Sequence, residues 1–303
     1  MTPPPSPLGA SSSSPRLLAP GGTAEYEWPK REYEWIENGV LHISVPFTWC
    51  LPRVQNRIAS TWMPTKVGGP AVELMPNYLK GAKIGSEANG ILQRINPLAT
   101  RTTRGCLSRC KFCGIGRGLI ERGPFRELAA YPAGPIICDN AFLSQSAEGM
   151  NRAVGMLRQF GWADFNQGLD ASLVTQDIAD LIATIGKPII RMALDSAGEK
   201  EVWGRAYECW RKAGVAKSRI RSYVLIAFDT GPDDAWERCE WIESFGVKAL
   251  PMWFHRLDAL EENTITTEPD IENDIPAQSD LGWTDYERRR IMQWFYYHKE
   301  AVE

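Results

Sequence analysis

Residues 136–160 read IICDNAFLSQSAEGMNRAVGMLRQF, and Gly161 follows. The stretch opens on a short apolar run at 136–138, the length and character of a buried strand. A longer segment, 145–160, then places Met150, Ala153, Val154, Leu157 and Phe160 at spacings of three and four, which draws one apolar helix face. Gly161 stands where a helix is expected to stop, because only glycine takes the left-handed closing conformation without strain. The same strand, helix and glycine recur downstream. Strands are expected at 163–167, 188–194, 220–227 and 247–253, helices at 176–185, 200–213 and 233–245, and stop glycines at Gly186, Gly214 and Gly246. Strands alternating with amphipathic helices indicate a parallel sheet with helical crossovers. A further strand before Cys106 brings the count to about six βα units. The expected fold is α/β: about six βα units over 96–260 that close partly or wholly into a barrel, with a small N-terminal α/β extension and a C-terminal helix.

The flanks read differently. Fourteen of residues 1–22 are Pro, Ser or Gly, which predicts a disordered tail. Residues 23–95 form the extension, with a turn at Asn38-Gly39 leading into a strand, and a strand, glycine turn and short helix around Gly68-Gly69-Pro70. Residues 261–280 hold seven acidic residues and no Lys or Arg, and read as an exposed acidic linker. In the last segment, 281–303, Thr284 and Glu287 match a capping box, and Ile291, Trp294, Phe295 and His298 share a helix face that docks as a structural cap.

The chain has 303 residues, 44% hydrophobic and 23% charged, with a net charge of −3. This is a globular composition, without the global basic charge that nucleic acid or anionic lipid attracts. No run is apolar enough to span a membrane and no secretory signal is evident, so the expected location is cytoplasmic, where disulfides are rare. Seven cysteines need another explanation, and three of them supply it. Cys106, Cys110 and Cys113 form CxxxCxxC, and three thiolates this close can ligate three irons of one [4Fe–4S] cluster and leave the fourth iron open. A structural zinc site is the competing reading, but zinc wants four ligands, and His42, His255 and His298 form no paired motif. Cys50, Cys138, Cys209 and Cys239 read as inert apolar side chains, and His255 follows the last strand.

CxxxCxxC with the aromatic Phe112 before its last cysteine resembles the radical S-adenosylmethionine (radical SAM) superfamily. The resemblance covers about half the chain. It implies a partial (β/α)6 TIM-like barrel with the cysteines on the loop after the first strand, and a [4Fe–4S] cluster whose open iron binds S-adenosylmethionine. It also implies reductive cleavage of that cofactor to a 5′-deoxyadenosyl radical that acts on a substrate, here unknown. Cys106, Cys110 and Cys113 then serve as metal ligands and catalytic residues, and Phe112 flanks the adenine. Asp139-Asn140, in a D-N-x-F-L variant of the second-strand element, would meet the methionyl amine. Asp195-Ser196, where the family usually has Glu-Ser, would reach the ribose. A reductant such as flavodoxin or ferredoxin is implied as partner. The Gly68-Gly69-Pro70 region resembles the end of the cobalamin-binding domain found ahead of some members. No Asp-x-His-x-x-Gly cobalt-ligand motif is present, which favours a remnant that does not bind cobalamin.

Arg101, Arg104, Arg109, Lys111, Arg117, Arg122 and Arg126 surround the cysteines with one acid, Glu121, among them. They suggest either an anionic or nucleotide-like substrate or compensation of an anionic cluster. The alternative function is a non-catalytic Fe–S or zinc-binding module that contacts nucleic acid.

Overall fold

The computed structural model describes residue 28 and residues 30–85 and 90–297. The Pro/Ser-rich stretch 1–22 and His298 lie outside the described residues.

Two α/β units follow one another along the chain. In the first, β1 (Tyr33–Glu37) and β2 (Val40–Ser44) form an antiparallel hairpin. Its turn residues Asn38 (φ 50°) and Gly39 (φ 73°) both take the left-handed backbone that a two-residue hairpin of this kind requires. β2, β3 (Thr65–Gly68) and β4 (Lys83–Ile84) run parallel, connected through α1 (Leu51–Ala59) and α2 (Pro70–Leu74). Leu41, Ile43, Val54 and Val67 make a separate small core there.

After α3 (Ile91–Ile95) comes the main sheet. Its strands are β5 (Ala99–Thr100), β8 (Ile136–Ile137), β9 (Trp162–Phe165), β10 (Lys187–Ala193), β11 (Ile220–Ile226) and β12 (Lys248–Trp253). All pair in parallel, in the order in which they occur in the chain. α4 (Ala147–Arg158), α5 (Gln176–Ala183), α6 (Lys200–Lys212) and α7 (Pro232–Ser244) are the crossovers from β8 onward. The connection from β5 to β8 differs from the expected βα unit. It carries no α-helix, but the cysteine loop, whose neck is a two-residue antiparallel ladder of β6 (Thr103–Arg104) and β7 (Arg126–Glu127).

Local chemistry accounts for the crossovers. Ser146 accepts from Gly149 N–H to start α4, Thr175 accepts from Ile178 N–H to start α5, and Pro232 opens α7. Gly161, Gly186, Gly214 and Gly246 all take positive φ at the helix stops. Strand periodicity sorts the faces. Ile220, Val224 and Ile226 of β11 enter the large core with Trp203, Trp210 and Leu157, whereas Arg221 and Tyr223 face the other way. Each fully buried side chain of that kind contributes about 1.5–3 kcal/mol.

The C-terminal helix α8 (Asp285–Tyr297) starts on Thr284, whose hydroxyl accepts from Glu287 N–H. Its docking stripe is narrower than the sequence suggests: Ile291 and Phe295 are fully buried, but Trp294 is 48% exposed. The acidic stretch 261–280 is a free linker only in part. Ile275, Ala277 and Gln278 are buried, and the Gln278 amide donates to Ala227 O and Phe254 O, just beyond β11 and β12.

Candidate active site at the cysteine loop

In a sheet built of parallel strands, loops at the carboxyl ends collect on one rim. The cysteine loop leaves β5 at that rim. Cys106, Cys110 and Cys113 are free and half-buried. Cys110 sits within electrostatic reach of Cys106 and Cys113, of Asp195, beyond β10, and of Asp170, beyond β9. Burial first, then the charges of Cys113, Asp195, Cys106 and Asp170, push the Cys110 thiol up to about 11. The loop is tightly wound: a Cβ on Gly116 would stand 2.7 Å from Cys110 N and 2.9 Å from Cys110 O, so only glycine fits that position.

Among the described residues, no three His, Cys, Asp or Glu side chains are gathered as a single ion would require. A four-iron cluster gives each thiolate its own iron, which spreads its ligands more widely than one ion does. Three half-buried thiols on one loop, without a fourth cysteine among them, are the residues that could hold such a cluster with one iron open. Bound iron would replace the thiol protons, so the raised Cys110 value belongs to the metal-free chain.

The structure puts Asp139 to a different use from the expected amine contact. The residue is 1% exposed, and its carboxylate accepts from Thr102 N–H (2.7 Å), Thr103 N–H (3.1 Å) and the Thr102 hydroxyl. It thereby fixes the chain where it enters the cysteine loop. Asn140 likewise turns to the loop and donates to Glu121 Oε2 at 3.0 Å. Phe112 packs edge-on against Phe228 (5.6 Å) in an apolar cluster with Phe254 and Ile275. Asp195 and Ser196 donate their N–H groups to Glu199 Oε2 where α6 begins.

Burial, then the neighbouring Glu199, raises the Asp195 carboxyl to about 6 from an ordinary 3.8. The folded state then holds that proton more firmly than the unfolded state. Its stabilising effect is complete below the unfolded value and is lost as pH rises through the folded one. Without cluster, the wild type should lose on the order of 2 kcal/mol more than Asp195→Asn between about pH 4 and about pH 7. Urea unfolding of both proteins across that range checks this.

Three groups escaped the sequence reading. Glu121 is the hub of the loop neck, with Oε1 accepting from Arg101 (2.9 Å) and Arg104 (2.6 Å), and Oε2 from Gly105 N–H (3.2 Å). Burial opposes its charge, but Arg101, the Gly105 N–H and Arg104 outweigh it and hold the carboxyl below its usual range. On the face of the sheet away from the helices, Arg191 makes a bidentate pair with Asp164 (2.7 and 2.6 Å) and also reaches the Tyr223 hydroxyl. Tyr223 donates to Asn166 O, and Trp28 Nε1 to Asn166 Oδ1. Polar residues at alternate positions of otherwise apolar strands are the signal that would have found this lining. Finally, Arg238 of α7 is 1% exposed and donates to Leu194 O (2.9 Å), Asp195 O (3.2 Å) and Leu225 O (2.8 Å).

His255 belongs to a seam with the N-terminal unit. It lies 4.6 Å from the Trp49 ring, Nε2 accepts from Asn263 N–H, and Thr48 donates to Ala259 O. Cys138 and Cys239 are buried, with burial pushing both thiols up to about 12, as inert side chains should be.

No protein-family model matches the chain. No curated protein matches it either. Its fold is similar to solved structures of TsrM, a radical S-adenosylmethionine methyltransferase from Kitasatospora setae. The structure of TsrM with cobalamin and a [4Fe-4S] cluster bound aligns with 71% of this chain and 64% of its own, at a TM-score of 0.50 and 12% identity. The structure with tryptophan substrate and an S-adenosylmethionine analogue bound aligns with 72% of this chain and 62% of its own, at a TM-score of 0.51 and 11% identity. The chain thus spans less than two thirds of the length of these structures, and the likeness is one of fold. Among the described residues no helix is long and apolar enough to cross a membrane.

Proposed function

We propose that this chain is a radical S-adenosylmethionine enzyme. Cys106, Cys110 and Cys113 would hold a [4Fe–4S] cluster, and the main sheet would be an incomplete (β/α)6 barrel. The observation that carries the reading is the placing of three half-buried cysteines on the loop after the first parallel strand, with Cys110 in electrostatic reach of Asp195 from beyond the fourth. Cluster and S-adenosylmethionine together supply reductive cleavage of the sulfonium C–S bond, which yields a 5′-deoxyadenosyl radical able to take a hydrogen atom from substrate.

The chain's own groups bind and orient. Phe112, backed by Phe228 and Phe254, offers an apolar wall for an adenine ring. Asp195 and Ser196 stand at a strand end where ribose hydroxyls would find acceptors. Asp139 and Asn140 position the loop. A one-electron donor of flavodoxin or ferredoxin type completes the requirement. The cobalamin bound by TsrM does not extend to this chain in our reading, which has no cobalt-ligand motif.

Some of the basic residues around the cysteines are spent within the chain. Arg101 and Arg104 bond Glu121, Arg117 bonds Asn273, and Lys111 stands 3.4 Å from Asp274. Glu121 and Asp274 answer only part of this charge, since one carboxylate serves two guanidiniums and Asn273 is neutral, and the remainder suits an anionic or nucleotide-like substrate.

The test is anaerobic. Protein reconstituted with iron and sulfide receives dithionite and S-adenosylmethionine, and 5′-deoxyadenosine is quantified by mass spectrometry. Wild type is expected to form it and Cys110→Ala to form none. A wild type that refuses iron and retains zinc overturns the reading.

A further inference from the structure

Inside the β6–β7 ladder at its neck, the cysteine loop is closed by a carboxylate, and that residue's own backbone is held from the N-terminal unit. Glu121 lies at the far end of the loop, yet Oε2 accepts from the N–H of Gly105, the residue before Cys106. Residues 106–120, with all three cysteines, are therefore strung between two positions joined by a single side chain. The same carboxylate takes Arg101, Arg104 and Asn140. Glu121 adopts a left-handed backbone (φ 48°), uncommon for a residue other than glycine. Its N–H donates to Glu73 Oε2 at 2.9 Å. Glu73 belongs to α2, and beside it Leu74 lies against the loop: its Cδ2 is 3.7 Å from where a Cβ on Gly114 would stand.

We propose that Glu73 and Glu121 act as a two-carboxylate staple through which the N-terminal unit sets the position of the cysteine loop. Both are positioning residues. The physical reason is entropic. A loop of this length with short strands at its neck samples many shapes, and tying its ends removes most of them. A side-chain oxygen that accepts a backbone N–H holds that N–H in one place. The proposal rests on the reading of this loop as the cluster's holder, but its main test does not.

The full chain, free of metal, is reacted with a thiol reagent, and the labelled cysteines are located by peptide mass spectrometry. In Glu73→Ala, Cys106, Cys110 and Cys113 should react roughly tenfold faster than in wild type. Buried Cys50, in the core of the N-terminal unit itself, should stay as slow as before. Glu73→Gln should keep wild-type rates, since its amide oxygen accepts the same N–H. Unchanged loop rates in Glu73→Ala overturn the proposal. So does a parallel acceleration of Cys50, which would mark loosening of the whole unit, or an equal effect in Glu73→Gln. In reconstituted protein, the electron paramagnetic resonance spectrum of the reduced cluster should shift in Glu73→Ala and match wild type in Glu73→Gln. An identical spectrum in all three counts against the staple. A wild type that takes up no iron sinks the proposed function and leaves the thiol rates to decide this inference.

Discussion

Arg238→Met is expected to lower folding stability by about 3–5 kcal/mol, with a fall in melting temperature on the order of 10 °C. The guanidinium is 1% exposed and serves carbonyls beyond β10 and within β11, together with Asp234 Oδ2 (2.7 Å) and Thr230 Oγ1 (3.1 Å). Methionine fills the volume of the stem but donates nothing. Leu194 O and Leu225 O then lose a partner each, at a cost of about 1–3 kcal/mol apiece. Arg238→Lys should recover only part of the loss, because one ammonium cannot reproduce a planar fork that spans several acceptors. Thermal and urea unfolding of the three proteins measure this. A wild-type melting temperature in Arg238→Met would show that the strand ends do not depend on this fork. The effect reaches the site as well, since Arg238 also holds Asp195 O.

Asp139→Ala is expected to be nearly as severe, and Asp139→Asn mild. Alanine strands the N–H groups of Thr102 and Thr103 and the Thr102 hydroxyl, on residues that are fully buried. The expected loss is again about 3–5 kcal/mol. Asparagine keeps an oxygen for the two N–H groups, and its amide can donate to the Thr102 hydroxyl, which turns from donor to acceptor. Burial raises the Asp139 carboxyl above its ordinary value, so the charge itself is costly in the fold, and a neutral amide forgoes that cost. At neutral pH Asp139→Asn should therefore be about as stable as wild type and hold as much iron. Unfolding curves and iron content check it. An asparagine variant that is fully stable yet fails to bind S-adenosylmethionine would return Asp139 to the role of cofactor contact suggested by the resemblance.

Much of the main sheet was legible beforehand because its causes are local. Apolar residues at helical spacing in α4, caps at Ser146 and Thr175, and glycines at helix stops act within a few residues of one another. The strands from β8 to β12 and their crossovers consequently fall where the periodicity places them. The three cysteines could likewise be singled out by spacing alone, because their candidate ligand role depends on residue type within eight positions of chain.

What escaped depends on distant partners. Asp139 reads as a cofactor contact until Thr102 and Thr103, 37 and 36 residues away, occupy its carboxylate. Glu121 reads as an isolated acid among arginines until the loop folds back and brings Gly105 to it. Arg238, 44 residues from Leu194, has no visible partner in the sequence until α7 packs across the strand ends. The part of 261–280 that ceases to be a linker does so because Gln278 finds two carbonyls that only the ends of β11 and β12 present together. The sequence by itself determined the alternation of elements and the thiol cluster, since backbone propensity and side-chain spacing act locally. The tertiary structure alone decided which polar groups are spent on holding the loop and which remain at the rim, because a buried charge takes its partner from whatever packing brings within reach.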